Sequence, residues 1–298
     1  MTLAPYNPSV SMKVTAWRAV TQGPLHALMA GADNASMDEA EAQRVVQGTF
    51  KKLDTWDSVH GPFIPGSGSE LRGDDYDWPP FGVSQVAWTG LQAAVDNFQA
   101  MRWHLDGRKT ASPRHFLYAH LTLCRAALVG ASQAVWVLAP DDRDLRVQRA
   151  RSVVAYTQHQ HERYLKALQE WAKVPHPGTD AVLARVQQRI GEMDAKRASD
   201  GQKGTLHTTE MIRVAAEHVF PSTVAVEVVL AWQEGSGAAH GLVWPILGQP
   251  STVQAGPADD NGLATFEAAG SFDRIANLYM AAYHLTDRGW DLLRRRGA

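Results

Sequence analysis

The sequence predicts an all-α fold, a multi-helix bundle of seven or eight helices with two long loops rich in glycine and proline. Apolar residues recur at helical spacing over most of the chain, and these stretches end at proline or glycine. Strand-like alternation is almost absent. With 45% hydrophobic residues, the 298-residue chain has enough apolar side chains for a sizeable core.

Composition suggests where the bundle begins. Residues 1–35 contain several prolines and glycines and little periodicity. We therefore expect an irregular N-terminal segment of extended chain, with at most one short helix around Leu25–Met29. Residues 36–298 are expected to form a single helical-bundle domain, in which we find no internal repeat and no low-complexity segment.

The first helix of this domain is predicted to begin at Ser36, because Ser36 and Glu39 have the spacing of a capping box, and to run through Trp56. The other helices are predicted at 83–106, 113–138, 141–173, 179–198, 208–219, 223–240 and 269–296. The segment 113–138 is apolar on most sides, which is typical of a helix at the centre of a bundle.

Two long loops are predicted from clustered glycine and proline, one at residues 61–80 and one at 245–262. The second loop contains two short stretches with strand character, 251–255 and 263–267. We expect these stretches to pair as a hairpin if they form strands.

The overall charge excludes some classes of function. A formal net charge of -2 gives no global attraction to nucleic acid or to a membrane surface. The single cysteine, Cys124, excludes an intrachain disulfide and fits a reducing compartment. Neither a signal peptide nor a charge-free apolar stretch of about 18 residues is found, so we expect a cytoplasmic protein without a membrane span.

The least usual stretch of the sequence is Trp232–Gly241, which places two glycines and two alanines inside a predicted helix. A helical glycine costs about 1 kcal/mol relative to alanine, so these residues indicate close approach of another backbone or of a ligand. Gln233, Ser236 and His240 share one helix face, and Gly241 is well placed to end the helix. One interpretation is a close helix crossing with a buried, hydrogen-bonded His240; the other is a functional site.

Residues 123–138 and 232–241 resemble a group of uncharacterised helical proteins of actinobacteria. Those proteins have an arginine followed by a glutamate on one helix and a Ser-x-x-x-His-Gly element further on. The second element is similar to the arginine–histidine motif of HEPN-type helical ribonucleases. The resemblance implies His240 as acid/base, Ser236 as the residue that orients it, and Arg125 as a phosphate contact, in a homodimer.

The chain departs from this pattern at two positions. Val129 stands where the glutamate is expected, and Gln233 stands where an arginine precedes the serine. The first change removes a buried partner for Arg125, and the second removes a cation that would stabilise a developing phosphorane charge. We therefore hold two hypotheses, a metal-independent ribonuclease of toxin or defence type and a non-catalytic scaffold that binds a protein, RNA or small-ligand partner.

The hypotheses assign the same residues differently. As a ribonuclease, the protein would use a histidine to take the 2′-hydroxyl proton and an arginine to hold the phosphate. As a scaffold, it would hold Arg125 in an ion pair with Glu227 or Glu234. The candidate binding residues on this helix are Gln233, Glu234, Gly237 and Glu227.

The remaining candidates have simpler explanations. Arg114 and His120 have the spacing of an HEPN motif, but their position in a first turn favours a capping and surface role. Cys124 lies midway along an apolar helix and is expected to be a small core residue. The basic stretch of Arg143, Arg146, Arg149 and Arg151 is expected to be a solvated helix face, with an RNA- or partner-binding surface as the alternative. No motif indicates a metal or a cofactor.

Overall fold

The computed structural model describes residues 10–15, 37–59, 61–77, 81–107, 114–172, 176–202, 205–247, 249 and 252–298. The predicted short helix around Leu25–Met29, the predicted cap at Ser36 and the start of the predicted helix at Pro113 lie outside these residues.

Helices dominate the described residues and confirm the predicted all-α, multi-helix bundle. They are α1 (Glu39–Gly48), α2 (Phe50–Asp57), α3 (Glu70–Tyr76), α4 (Val83–Leu105), α5 (Ala119–Leu138), α6 (Arg143–Ala172), α7 (Pro177–Ser199), α8 (Thr208–Val219), α9 (Ser222–Ala239), α10 (Trp244–Leu247) and α11 (Phe272–Gly297). Each of the eight predicted helical segments corresponds to one or two of these helices. The predicted number, seven or eight, is too low because three short helical segments were not separated or not foreseen.

The first extra helix arises from a break at Thr49, which divides the predicted 36–56 segment into α1 and α2. The cap of α1 is Asp38, whose carboxylate accepts the Glu41 backbone N–H at 2.8 Å. The second extra helix is α3, inside the predicted loop 61–80, and Ser69 caps it by accepting the Arg72 N–H. The third is the four-residue α10. A side-chain cap therefore starts α3 in a place where glycine and proline suggested irregular chain.

A small antiparallel sheet accompanies the helices. Its strands are β1 (Val10–Thr15), β2 (Val253–Gln254) and β3 (Leu263–Ala268), in the order β1-β3-β2. The pairing of β2 with β3 confirms the predicted hairpin. β1 comes from the segment predicted as extended chain and pairs with the whole of β3, from Val10 opposite Ala268 to Thr15 opposite Leu263.

The chain divides into two compact units. Unit 1 takes residues 1–60, 93–128 and 226–284, and unit 2 takes residues 61–92, 129–225 and 285–298. Each unit is described by itself below. The assignment of residues 36–298 to a single domain stays a prediction.

The core of unit 1 is aromatic. The rings of Trp56 and Tyr283 lie 5.3 Å apart, and those of Phe98 and Tyr279 lie 5.0 Å apart in an edge-on arrangement. The Tyr279 hydroxyl is buried and forms a 2.7 Å hydrogen bond with the hydroxyl of Thr49, the residue at the break between α1 and α2. The break therefore satisfies a buried polar group of α11.

The start of α11 is also fixed from within unit 1. The Glu39 carboxylate accepts the backbone N–H groups of Phe272 at 3.0 Å and Asp273 at 2.9 Å. These two N–H groups have no partner inside the helix, and a carboxylate suits the positive end of the helix dipole. The first residue of α1 thus caps the last helix.

Unit 2 is held together by buried arginines. Arg146 and Asp74 are each only 2% exposed, and the Arg146 Nε atom donates to an Asp74 oxygen at 2.7 Å. Arg146 also donates to the carbonyls of Pro140 and Asp141, at 3.0 and 2.8 Å. Arg296 is similarly enclosed and donates to the Leu138 carbonyl at 2.7 Å.

Two further arginines of α6 have the same character. Arg151 pairs with Asp77 and Asp200, and Arg149 donates to the Trp136 carbonyl at 2.6 Å. The expectation that the arginines of this stretch form a solvated face is therefore wrong, except for the exposed Arg143. Their partners were not evident from the neighbouring aspartates in the sequence, because they come from α3, from the residues that end α3 and α7, and from the end of α5.

The helix α5 is long and apolar enough to cross a membrane by length and composition alone. Of the residues in its apolar window, 61% are buried inside the protein. Buried helices at the centre of soluble bundles pass the same test, so this property does not indicate a membrane span by itself.

We expect Arg146→Ala to lower the free energy of unfolding by about 3 kcal/mol, because it leaves the buried Asp74 carboxylate without its main partner. The matched control is Arg143→Ala, whose side chain is half exposed and lies 3.5 Å from the same carboxylate. That control should cost less than about 1 kcal/mol. Urea denaturation of the three proteins measures the difference, and equal losses for both variants would contradict the prediction.

Candidate functional site

The second half of α9 lies very close to α5. A Cβ atom at Gly235 would lie 2.9 Å from the Cβ atom of Arg125 and 3.2 Å from the carbonyl oxygen of Leu121. A Cβ atom at Gly237 would lie 2.7 Å from the Pro245 ring. The predicted close approach is confirmed: another backbone, that of α5, comes next to Gly235, and α10 packs on Gly237.

Gly241 ends α9 as predicted. Its φ is +67°, in the left-handed region that favours glycine. The Gly241 N–H donates to the Ala238 carbonyl at 3.0 Å, and the Leu242 N–H donates to the Gly237 carbonyl at 3.0 Å. These two bonds form a Schellman motif, which satisfies carbonyls that the helix leaves free.

His240 lies in this terminating turn, one residue beyond the last residue of α9, and its side chain is exposed. The expectation of a buried, hydrogen-bonded histidine is therefore wrong. The helix ends one residue earlier than predicted, although the His240 N–H still donates to the Ser236 carbonyl at 3.2 Å. Its replacement by alanine removes no buried hydrogen bond.

The side chains of Arg125 and Ser236 bind each other. The Nε–H of Arg125 on α5 donates to the Ser236 hydroxyl oxygen on α9 at 2.7 Å, in a half-buried position. The predicted ion pair of Arg125 with Glu227 or Glu234 is not formed. Two of the three residues in the predicted catalytic set are thus brought together, and their contact links α5 to α9.

Glu234 is half-buried on α9, unlike the exposed Gln233 beside it. The Gln249 side-chain amide donates to its carboxylate. Burial raises the pKa of Glu234 to about 7, and the charge of Arg274 on α11 opposes this effect only in part. A carboxyl group with this pKa changes its protonation state near neutral pH, which is the property of a group that exchanges protons or binds a charged ligand.

The other two predicted binding residues contribute less. Gln233 is exposed, and Glu227 is half buried. Within the described residues, neither makes a side-chain hydrogen bond or an ion pair. Gly237 is used for packing, since α10 covers it.

The predicted surface role is wrong for His120, although Arg114 is exposed. His120 is fully buried in the first turn of α5, and its ring lies 5.6 Å from that of His104 and 6.4 Å from that of His115. Burial and these two neighbouring histidines lower the pKa of His120 to about 3. Within the part of the chain that the structure describes, its Nε2 atom has no hydrogen-bond partner. Across the described residues, no group of three or more potential ligands is arranged to hold a metal ion.

Cys124 is a core residue, as predicted. It is fully buried on α5, and its thiol lies 3.2 Å from the Met101 sulfur atom. Burial raises the pKa of the thiol, so the reactive thiolate form is suppressed.

Comparison with known proteins adds no family to this description. No protein-family model, no curated protein and no solved structure matches the chain.

The sequence reasoning did not single out Arg274, which is 6% exposed and lies three residues into α11. Its Nη2 atom donates to the Pro245 carbonyl at 3.0 Å, while its Nε and Nη1 atoms have no partner among the described residues. Tyr118 and Gln249, which belong to the same surroundings, were also missed. The available signal was an arginine directly before the apolar pair Ile275 and Ala276, in the first turn of α11.

We expect Gly235→Ala to lower the free energy of unfolding by about 1–3 kcal/mol, because the new methyl group overlaps α5. The control is Gly191→Ala in α7, where an added Cβ meets no atom within 4 Å. That change should stabilise the protein by about 0.5–1 kcal/mol through helix propensity. Chemical denaturation separates the two; a stabilising Gly235→Ala would show that the close approach is not required.

The raised pKa of Glu234 predicts a pH dependence of stability. In the folded state, the Glu234 carboxyl group stays protonated up to about pH 7. In the unfolded state, a glutamate has a pKa near 4.5 and therefore loses its proton at a lower pH. The contribution of Glu234 to the free energy of unfolding is thus fully present below about pH 4.5. It is lost as the pH rises through about 7, and the loss is roughly 3 kcal/mol at most.

Glu234→Gln keeps the neutral form at every pH and provides the comparison. Relative to the wild type, its stability should be similar near pH 4.5 and higher above pH 7. Denaturant titrations of both proteins across this range measure the difference. A difference that does not change with pH would contradict the assignment.

Proposed function

We propose that the protein is a non-catalytic, HEPN-like helical scaffold that binds a small-ligand or protein partner. The observation that carries this proposal is the 2.7 Å hydrogen bond from Arg125 to Ser236. The bond uses the Arg125 Nε–H and a lone pair of the Ser236 oxygen to join α5 to α9, which is the role of a structural contact between helices. Here each side chain has the other as its partner.

The position of His240 supports the same conclusion. An acid/base histidine acts in a defined position, usually held by a hydrogen bond to its second ring nitrogen. His240 lies in the exposed turn after α9, and among the described residues no side-chain hydrogen bond holds its ring. The absence of the family glutamate and arginine, at Val129 and Gln233, agrees with a site that has no catalytic set.

The proposal leaves less support for a homodimer than the sequence suggested. A Gly/Ala-rich helix such as α9 could form a dimer interface, but Gly235 and Gly237 pack within unit 1. The remaining reason is the resemblance to dimeric HEPN-like proteins. Light scattering of the purified protein distinguishes a monomer from a dimer.

The proposal predicts that the purified protein, incubated with total cellular RNA in EDTA, gives no cleavage that depends on His240. If His240 were the acid/base, His240→Ala would lower cleavage by about 100-fold or more. The free energy of unfolding of His240→Ala should stay within about 0.5 kcal/mol of the wild-type value, because the His240 side chain is exposed. Cleavage that is lost in the folded His240→Ala protein would establish the ribonuclease instead.

Ser236→Ala tests the structural role of the Arg125 contact. The change should lower the free energy of unfolding by about 1–2 kcal/mol, since it leaves a half-buried guanidinium without its acceptor. Gln233→Ala, on the exposed face of the same helix, is the control and should have little effect. Equal stabilities for the two variants would remove the main support for the scaffold.

A further inference from the structure

Arg274 is a buried cation that lacks the partners a buried cation requires. Its side chain is 94% enclosed, and its Nε and Nη1 atoms are closed off from solvent without a hydrogen-bond acceptor. A buried guanidinium normally pairs with a carboxylate, as Arg146 does with Asp74 in unit 2. Arg274 has instead one backbone carbonyl, that of Pro245.

The nearest carboxyl group does not fill this role. Glu234 interacts electrostatically with Arg274, but the two make no direct ion pair, and Gln249 occupies one Glu234 oxygen. Because burial keeps Glu234 protonated up to about neutral pH, the pair carries a net positive charge below that pH. The site therefore lacks one negative charge.

The surroundings match a small organic molecule. Tyr118 precedes α5 and packs against an apolar cluster made of Leu117, Ile246 and Ala268. Its hydroxyl is close enough to Arg274 for each to affect the other's pKa. Charge, hydrogen-bond donors and an apolar wall thus occur together in unit 1.

We infer that Arg274 anchors the carboxylate of a small organic acid, with the half-buried Glu234 carboxyl group beside the same ligand. This inference rests on the proposed binding function and specifies its ligand. A monoanion fits better than a phosphate dianion, because a single negative charge balances Arg274 and a carboxylic acid pairs well with a carboxylate. The Nε and Nη1 atoms, which have no acceptor among the described residues, are the donors that the carboxylate would use.

Protonation of Glu234 should control this binding. The titratable groups that face Arg274 are Glu234 from α9, Tyr118 before α5 and Asp273 beside it on α11. When Glu234 ionises, its own charge compensates Arg274 and repels the ligand. The affinity for a carboxylate should therefore fall roughly tenfold between about pH 6 and about pH 8.

Acetate and benzoate are suitable probes, with sodium chloride at the same ionic strength as the reference. Near pH 6, a saturating carboxylate should raise the melting temperature of the wild type by about 2 °C or more. Arg274→Gln should lose this shift, whereas Arg163→Gln, in an exposed position of α6, should retain it. No shift in the folded wild type with either probe would overturn the inference.

If Arg274→Gln does not fold, Glu234→Gln provides a second test of carboxylate binding. This variant should bind the carboxylate with an affinity that does not change with pH, while the wild type weakens as the pH rises. A pH dependence that persists in Glu234→Gln would overturn the role of Glu234. A failure of the carboxylate inference is distinguishable from a failure of the proposed function. The first is decided by carboxylate binding, and the second by cleavage of RNA that depends on His240.

Discussion

The arrangement of the candidate site depends on the contact between Gly235 and the backbone of α5. Because residue 235 has no side chain, α9 comes within van der Waals distance of the Leu121 carbonyl. Only at this separation does the Ser236 hydroxyl reach the Arg125 guanidinium. The next residue back along α9, Glu234, is then enclosed beside Gln249 rather than left in water.

The long helices were predictable because their apolar residues repeat at helical spacing and their ends carry proline, glycine or a capping side chain. The elements that the sequence did not predict, α3 and β1, were missed for physical reasons. α3 occupies seven residues, too few for periodicity to stand out among glycines and prolines, and a single serine cap starts it. β1 pairs with a strand about 250 positions away, and no local pattern specifies a partner so distant.

In the candidate site, too, some features were predictable from the sequence and others were not. The helix end at Gly241 and the close approach at Gly235 follow from glycine itself, so the sequence is enough to predict them. The partner of Arg125, the exposure of His240 and the burial of Arg274 each depend on which elements meet. The sequence offered the carboxylates of Glu227 and Glu234 as partners for Arg125, yet Arg125 binds Ser236. His240 is exposed together with Gln233, which the sequence placed on the same helix face.

The position of Cys124 gives the protein a built-in reporter. It is the only thiol in the chain, it lies in the core of unit 1, and burial suppresses its thiolate. An alkylating reagent reacts with it only while that core is open, so the rate of labelling under native conditions measures how often unit 1 opens. Because unit 2 contains no cysteine, the opening of unit 1 is observed separately from that of unit 2.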